Sequence, residues 1–373
     1  MKLVKLGNLA SIQTGKIDVN KAVVGGRYPF FTCSRDVYEI NDAPFEGKAV
    51  LVAGNGDLNV KYYEGKFNAY QRTYFLFVNN EEELLPRYLY WFLESYVGQL
   101  RSDSIGSTIK YIKMGNLTDA EIPLLSVEKQ LEIVEKLDSA FAEIDRLETN
   151  LEVNVGKTHD LLQSIQDEAL TASSEDWGPC KIGDLGKWIT GSTPSTAKKE
   201  FWGDEVPFVT PADLNASGEL GEIGRRISKL GSEQVRVVLA PSVLLVCIGA
   251  TLGKVAWTSE TITTNQQINT LQVDVKKSNN KFLMYLLSSP SVQKKLWDSS
   301  TGTTVPILNK GNLENIDIFI PSLERQVEIV KKLDNAFAEI ELLAARIQIE
   351  KDNAVALRQS LLSITFTRED AVA

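Results

Sequence analysis

Nineteen residues near the middle of the chain return near its end. Residues 126–144 read SVEKQLEIVEKLDSAFAEI and residues 322–340 read SLERQVEIVKKLDNAFAEI; at a constant offset of 196 with no gap, 14 of the 19 positions are identical. A match of this length marks the chain as a duplication, which constrains its fold more than any other feature. The same offset pairs Gly106-Ser107-Thr108 with Gly302-Thr303-Thr304 and Gly115-Asn116-Leu117 with Gly311-Asn312-Leu313, so each copy begins before its helix. A weaker echo opens each half: Leu6-Gly7-Asn8-Leu9 with Thr14-Gly15 matches Ile182-Gly183-Asp184-Leu185 with Thr190-Gly191, at an offset of 176. Between these echoes, residues 16–105 and 192–301 diverge, although each keeps a strand-like apolar run ending in Gly, AVLVAGNG and SVLLVCIGATLGKV.

The repeated segments read as long helices. Apolar residues recur in steps of three and four at Leu137, Phe141, Ile144, Leu151, Val155, Leu162 and Ile165, with Glu148 and Thr158 as polar interruptions. The second copy runs Leu333, Phe337, Ile340, Leu343, Ile347, Ala354, Leu357, Leu361 and Ile364, shifting register partway. Ser126 and Ser322 are placed to cap the first turns. About 40 helical residues span roughly 60 Å, more than either globular part needs for its own core. The two helices are therefore expected to pair, with Leu137, Phe141, Ile144, Leu151, Leu333, Phe337, Ile340 and Ile347 as the core of the pair. The division expected is a first domain at 1–125, a helical spacer at 126–170, a second domain at 171–321, and a second spacer with a tail at 322–373.

Charge separates these parts. Residues 1–125 carry 14 acids and 14 bases, residues 171–321 carry 15 and 15, and residues 126–170 carry 11 and 4. Two neutral lobes permit a basic patch on each, while the acidic first helix suits solvent or a protein partner. The three cysteines, Cys33, Cys180 and Cys247, lie far apart, and His159 is the one histidine. This excludes a Cys/His zinc cluster or a disulfide framework, and any His-dependent triad would have to be built around His159 alone. Its neighbours, GKTHDLLQSI, read as the polar face of a helix, so it is expected at the surface. No apolar stretch is long enough for a membrane span, and MKLVKLGNLASIQTG lacks a signal core; a cytoplasmic chain with no membrane partner is expected.

In these residues the chain resembles the specificity subunits of type I restriction-modification systems, across essentially its whole length. The resemblance rests on the order domain, helix, domain, helix; on PLL-SVEKQ-LEIVEKLD and IPSLERQ-VEIVKKLD; and on the G-S/T-T loops. It also rests on the starts LGNLASIQTG and IGDLGKWITGSTP, and on VPFVTPADL, GATLGKV and TNQQIN. It implies two α+β target-recognition domains with small mixed sheets and short helices, linked by two long helices in an antiparallel coiled coil. Each domain would read half of a split double-stranded DNA target, with two adenine methyltransferase subunits bound and restriction/translocase subunits added for cleavage. A pseudo-two-fold internal repeat would match the two-fold relation of the DNA strands, with half-sites about one turn, roughly 34 Å, apart. Dissimilar lobes imply an asymmetric target.

Base edges are read by Arg, Lys, Asn, Gln, Ser and Thr, and phosphates are held by Lys, Arg and backbone amides. The first-lobe candidates are Ser34, Arg35, Asn55, Asn59, Lys61, Gln71 and Arg72; those of the second are Ser192, Thr193, Thr210, Arg225, Arg226, Lys254, Gln266 and Gln267. Lys110, Lys113 and Lys310 beside the glycine loops are candidate phosphate contacts. Tyr62, Tyr63, Tyr70 and Tyr74 are expected to pack in a sheet.

No catalytic motif survives inspection. Gly249-Ala250-Thr251-Leu252-Gly253-Lys254 is one residue too short for a phosphate-binding loop, and Val255 stands where Ser or Thr should bind magnesium. Asp57 with Glu64-Gly65-Lys66 has the form used by metal-dependent nucleases, in a single unmatched copy. An Asn/Asp-Pro-Pro-aromatic methyltransferase element is missing. The chain is thus expected to be a non-catalytic recognition subunit with no cofactor or metal of its own; the competing reading is a coiled-coil adaptor that binds no DNA.

Overall fold

The computed structural model describes residues 2–170, 177–215, 217–302 and 304–366. Thr303 of the second glycine loop, the side chain of His159 and the tail after residue 366 lie outside them. The chain divides into two compact units, Met1–Asn154 with Ile347–Ala373 and Val155–Arg346, so the boundary runs through both long helices.

The first unit opens with β1 (Lys2–Lys5), the one-turn α1 (Leu6–Leu9) and β2 (Ala10–Thr14). It continues through β3 (Tyr28–Phe31), β4 (Val37–Ile40), β5 (Phe45–Ala53), β6 (Val60–Ala69) and β7 (Thr73–Val78). After α2 (Pro86–Ser102), α3 (Met114–Thr118) and β8 (Glu121–Leu124), the long α4 (Val127–Leu170) begins. Five of the strands join β2 in a six-stranded sheet ordered β2-β7-β5-β6-β3-β4, and β1 pairs with β8. One face of this sheet packs with α2, burying Val50, Val52, Leu76, Leu89 and Leu93. The other face is an aromatic layer of Phe31, Phe67 and Phe75. Alternation along β5 divides the two, as a sheet covered on both sides requires. Tyr62, Tyr63 and Tyr74 flank these layers half-buried, in keeping with the packing expected of them.

The second unit repeats this plan. Its elements are β9 (Gly178–Lys181), β10 (Gly186–Thr190), β11 (Trp202–Val209), β12 (Arg226–Ile227), α5 (Lys229–Ser232), β13 (Val237–Val238), β14 (Ser242–Val246), β15 (Val255–Thr258), β16 (Ile262–Thr264) and β17 (Ile268–Val273). Then come α6 (Asn280–Ser288), α7 (Pro290–Asp298), α8 (Lys310–Glu314), β18 (Asp317–Ile320) and α9 (Leu323–Phe366). The order β10-β17-β14-β15 matches β2-β7-β5-β6, and β9 pairs with β18 as β1 does with β8. The parallel pairing of β3 with β6 recurs between β11 and β16. What is one long β6 in the first lobe is broken into β15 and β16 in the second, so one six-stranded sheet becomes two of four strands.

The echoes have a steric origin. A Cβ on Gly15 would fall 1.8 Å from the Ala69 carbonyl oxygen, and one on Gly191 would fall 2.1 Å from that of Asn265. Each glycine lets the chain leaving the sheet's edge strand press against the turn that precedes the neighbouring strand.

Both long helices are 44 residues and begin one residue after the predicted caps. Ser126 Oγ accepts the Lys129 amide at 3.4 Å and Ser322 Oγ accepts that of Arg325 at 3.3 Å. In the first unit, Leu137 meets Leu362 beside Trp91, while Arg358 reaches back to Asp145 and to Glu148 at 2.9 Å. Higher numbers on α4 meet lower ones on α9, so the pairing is antiparallel. In the second unit the end of α4, with Ala169 and Leu170, shares a core with Ile329 and Leu333 of α9, and Lys332 bonds Glu168 at 3.0 Å. Leu137, Ile144, Leu151, Leu333 and Ile347 are buried; Phe141, Phe337 and Ile340 are half-buried.

The stripe needs correction at its far positions. Val155, Leu343, Leu357 and Ile364 are exposed, and Leu362, not Leu361, is the buried member of the last turns. The physical reason is that each helix first serves its own lobe. Phe141 lies 4.4 Å from the Trp91 ring and Phe337 lies 5.2 Å from Tyr285, which fixes helix rotation at one end and turns a strict heptad outward further along.

Candidate nucleic-acid interface

Equivalent backbone bonds gather three loops at one rim of each lobe. The loop after β3 in one lobe and after β11 in the other joins them where the Tyr70 amide donates to Phe31 O and the Asn265 amide donates to Val209 O. In the first lobe, the Gly54 amide donates to Arg72 O, Gly56 to Lys110 O and Ile112 to Gly54 O. In the second, Cys247 donates to Gln267 O, Gly249 to Pro306 O and Leu308 to Cys247 O. The isolated bridges follow the same plan, with Asn55 and Ile105 facing Tyr111, and Ile248 and Thr301 facing Ile307. Residues 32–36, 54–59, 70–72 and 105–111 thus correspond to 210–214, 247–254, 265–267 and 301–307. The glycines repeated before each long helix shape the fourth loop. Gly106 has φ +116° and Gly302 φ +93°, and a Cβ there would lie 2.4 and 2.5 Å from the carbonyl oxygens of Ile109 and Val305.

Most candidate residues sit on these loops. Ser34 and Arg35, Asn55 and Asn59, Gln71 and Arg72, and Lys110 occupy the four loops of the first lobe, with Lys113 just beyond. Gln71, Arg72, Tyr111 and Lys113 line an open cleft of about 570 Å³. Asn59 is buried and donates to the carbonyls of Cys33 and Asp57 at 3.0 and 2.8 Å. Lys61 lies on β6 with its amine turned to the first loop, donating to Ser34 O at 2.6 Å and to Asn59 Oδ1. Burial pulls its pKa below the ordinary lysine value. Asn59 and Lys61 are therefore braces under the loop.

In the second lobe, Thr210, Lys254, Gln266 and Gln267 occupy the equivalent loops. Thr193 Oγ1 bonds Gln266 Oε1 at 2.8 Å, and Ser192 Oγ accepts the Arg236 amide at 3.2 Å. Thr210 is held by Asp213 at 2.7 Å and Lys254 by the Leu214 carbonyl at 3.1 Å. Arg225 and Arg226 stand apart from the four loops, next to and on edge strand β12. The Arg225 guanidinium stacks 4.0 Å from the Trp202 ring centre and Arg226 Nε donates to Asp204 O at 2.8 Å. Lys310 opens α8 and pairs with Glu314 at 3.5 Å.

One rim residue, Arg101, escapes sequence reading, and another, Asp57, is marked there only as part of a nuclease look-alike. Asp57 bonds both Arg35 Nε, at 3.0 Å, and Arg101 Nη2, at 2.8 Å. Arg101 closes α2, and no local motif marks it. An internal signal was readable, however: Pro29-Phe30-Phe31-Thr32 matches Pro207-Phe208-Val209-Thr210 at an offset of 178 and leads into the first loop of each lobe. The catalytic look-alikes have structural explanations. Residues 247–254 form a turn from β14 into β15, with no following helix to cradle a phosphate. The Asp57 carboxylate is engaged by two arginines.

Two homologous α+β lobes, sharing a pair of long helices and carrying different polar residues on equivalent rims, define a duplicated two-headed binding protein. The family profile described as "Type I restriction modification DNA specificity domain" matches residues 1–155 and 174–351. The chain belongs to this family. It is 29% identical over 412 aligned positions to the type I restriction enzyme EcoDI specificity subunit of Escherichia coli, covering 99% of this chain and 88% of that protein. It is 35% identical over 164 positions to the HindI specificity subunit of Haemophilus influenzae, covering 43% of this chain and 35% of that one. The HsdS subunit from Thermoanaerobacter tengcongensis shares the fold with a TM-score of 0.61 at 18% identity, over 99% of this chain and 97% of its own. A chain from a structure of type I R-M complex assembly reaches 0.75, also at 18% identity, over 99% and 98%.

Proposed function

We propose that the chain is the DNA-reading subunit of a type I restriction-modification complex. Each lobe reads one half of an asymmetric bipartite duplex target, and the helix pair sets the spacer and docks two adenine methyltransferase subunits. Methylation belongs to those partners and cleavage to restriction subunits; the chain itself recognises. In this reading the target-recognition domains are residues 1–125 and 171–321, and residues 126–170 and 322–373 are the helical spacers with the tail.

The observation that carries the proposal is the pair of equivalent four-loop rims filled with different side chains: a shared frame keeps two readers alike while their contents give each its own sequence. The rim candidates supply base-edge donors and acceptors, and Lys110 and Lys113 supply phosphate contacts. Gel-shift selection from random duplex pools tests it, using the full chain co-expressed with its methyltransferase at two salt concentrations, because phosphate contacts make affinity salt-dependent. Retention of one split motif is expected; retention of no motif in any complex supports the adaptor reading instead.

A further inference from the structure

Asp57 stands at the tip of the turn between β5 and β6 and carries two arginines from different parts of the first lobe. Arg35 comes from the loop after β3 and Arg101 from the last turn of α2; each of the three side chains is more than half exposed. Exposed ion pairs contribute little to folding stability, so a carboxylate shared by two exposed arginines calls for another account. The turn that presents it is unusually well braced. Asn59, buried beneath it, ties the Asp57 carbonyl to the Cys33 carbonyl, and Lys61 ties Ser34 O to Asn59. Arg101 also donates to Leu58 O at 3.1 Å. The backbones bearing Arg35 and Asp57 thus form one rigid piece.

This arrangement belongs to the divergent filling of the rim and not to the duplicated frame. The equivalent turn of the second lobe, residues 247–254, contains no acid, and at the offset of 196 the place of Arg101 is taken by Trp297. A feature built into one reader and missing from the other is where half-site identity should lie.

We propose that Asp57 is a positioning residue for base reading in the first lobe, anchored on one side by Arg101 and holding Arg35 so that the Arg35 guanidinium edge meets guanine in the major groove. Arg35, engaged through Nε, keeps both Nη groups, whose paired donors match the O6 and N7 acceptors of guanine. Arg101 instead commits Nη2 to Asp57 Oδ1 and Leu58 O and so anchors the carboxylate. Fixing a long side chain in advance lowers the entropy cost of a bidentate contact, and a mismatched base then leaves the arginine unpaired. The inference rests on the chain being a DNA reader.

The test uses the full chain co-expressed with its methyltransferase and selection from random duplex pools. Asp57→Asn is expected to lower guanine preference at a position in the first half-site by about tenfold or more, the size of a bidentate contact. Arg35→Lys should relax the same position and Arg101→Lys should relax it to a smaller degree. Adding Asp57→Asn to Arg35→Lys should change it little further, because Asp57 and Arg101 act through Arg35. Retention of the second half-site in each variant reports an intact fold, and Asp57→Glu should restore part of the preference. Three results would overturn the proposal: an unchanged first half-site in Asp57→Asn, additive effects at separate positions, or loss of a cytosine preference confined to Asp57 variants. If the unaltered complex selects no split motif, the reading of the chain as a DNA reader fails instead, and the two failures are distinguishable.

Discussion

Two buried glutamines do the same work in both lobes. Gln130 and Gln326 are fully buried one turn into the long helices. Gln130 accepts the Leu85 amide at 2.8 Å and donates to the carbonyls of Glu83 and Leu125; Gln326 accepts that of Asn279 at 2.9 Å and donates to Lys277 and Pro321. Each clips the loop before a lobe helix to the start of a long one. Asp138 and Asp334 act similarly, the first taking Trp91 Nε1 and Arg87 and the second taking the Tyr285 hydroxyl and Lys281. Removing a buried hydrogen-bonding side chain strands its partners, so Gln130→Ala should cost about 2 to 4 kcal/mol in urea unfolding, well beyond a surface change. Glu94 of α2 behaves oppositely. Burial raises its pKa above the usual carboxylate value, although Arg35, Arg358, Lys61 and Arg101 pull it down. A raised acid favours the fold only when protonated, an advantage lost as pH climbs through the folded pKa. Glu94→Gln should therefore be more stable than the parent at pH 7, with the gap closing as pH falls toward 4.5. The repeat displayed Gln130, Gln326, Asp138 and Asp334 as identities, yet their task was invisible because their partners at the lobe helices lie 45 to 53 positions away.

Helix boundaries and caps were legible because capping is local: a serine, then an apolar period. The rotation of each helix was not, since it is set by Trp91 and Tyr285 on other elements. This gives a paired test of register on α9. Leu333, buried among the second lobe's core, should cost about 2 to 5 kcal/mol when cut to Ala, whereas exposed Leu343 and Leu357 should each change stability by less than about 0.5 kcal/mol. Equal losses at all three would restore the original stripe. The glycine loops offer a second check at this scale. Gly106→Ala must place a Cβ on the Ile109 carbonyl oxygen and hold a left-handed residue, which should destabilise the first lobe by about 1 to 3 kcal/mol and weaken DNA retention through displacement of Lys110.

For the molecule as a whole, the duplication was the most legible property, because keeping one frame twice leaves identities wherever backbone meets backbone. The rims were legible as sets of polar loops but not as contacts: Arg225 and Arg226 proved to be on or beside an edge strand, and the pairing of Asp57 with Arg35 and Arg101 emerged only once the loops were assembled. Lengthening either long helix is expected to alter the spacer and leave the bases read unchanged. The most direct measurement is the adenine methylome of cells carrying the chain with its methyltransferase, before and after residues 192–301 are exchanged for those of a relative. A split, asymmetric motif in which one half changes and the other persists is the predicted result; a continuous motif, or a swap that alters both halves or neither, would contradict the account.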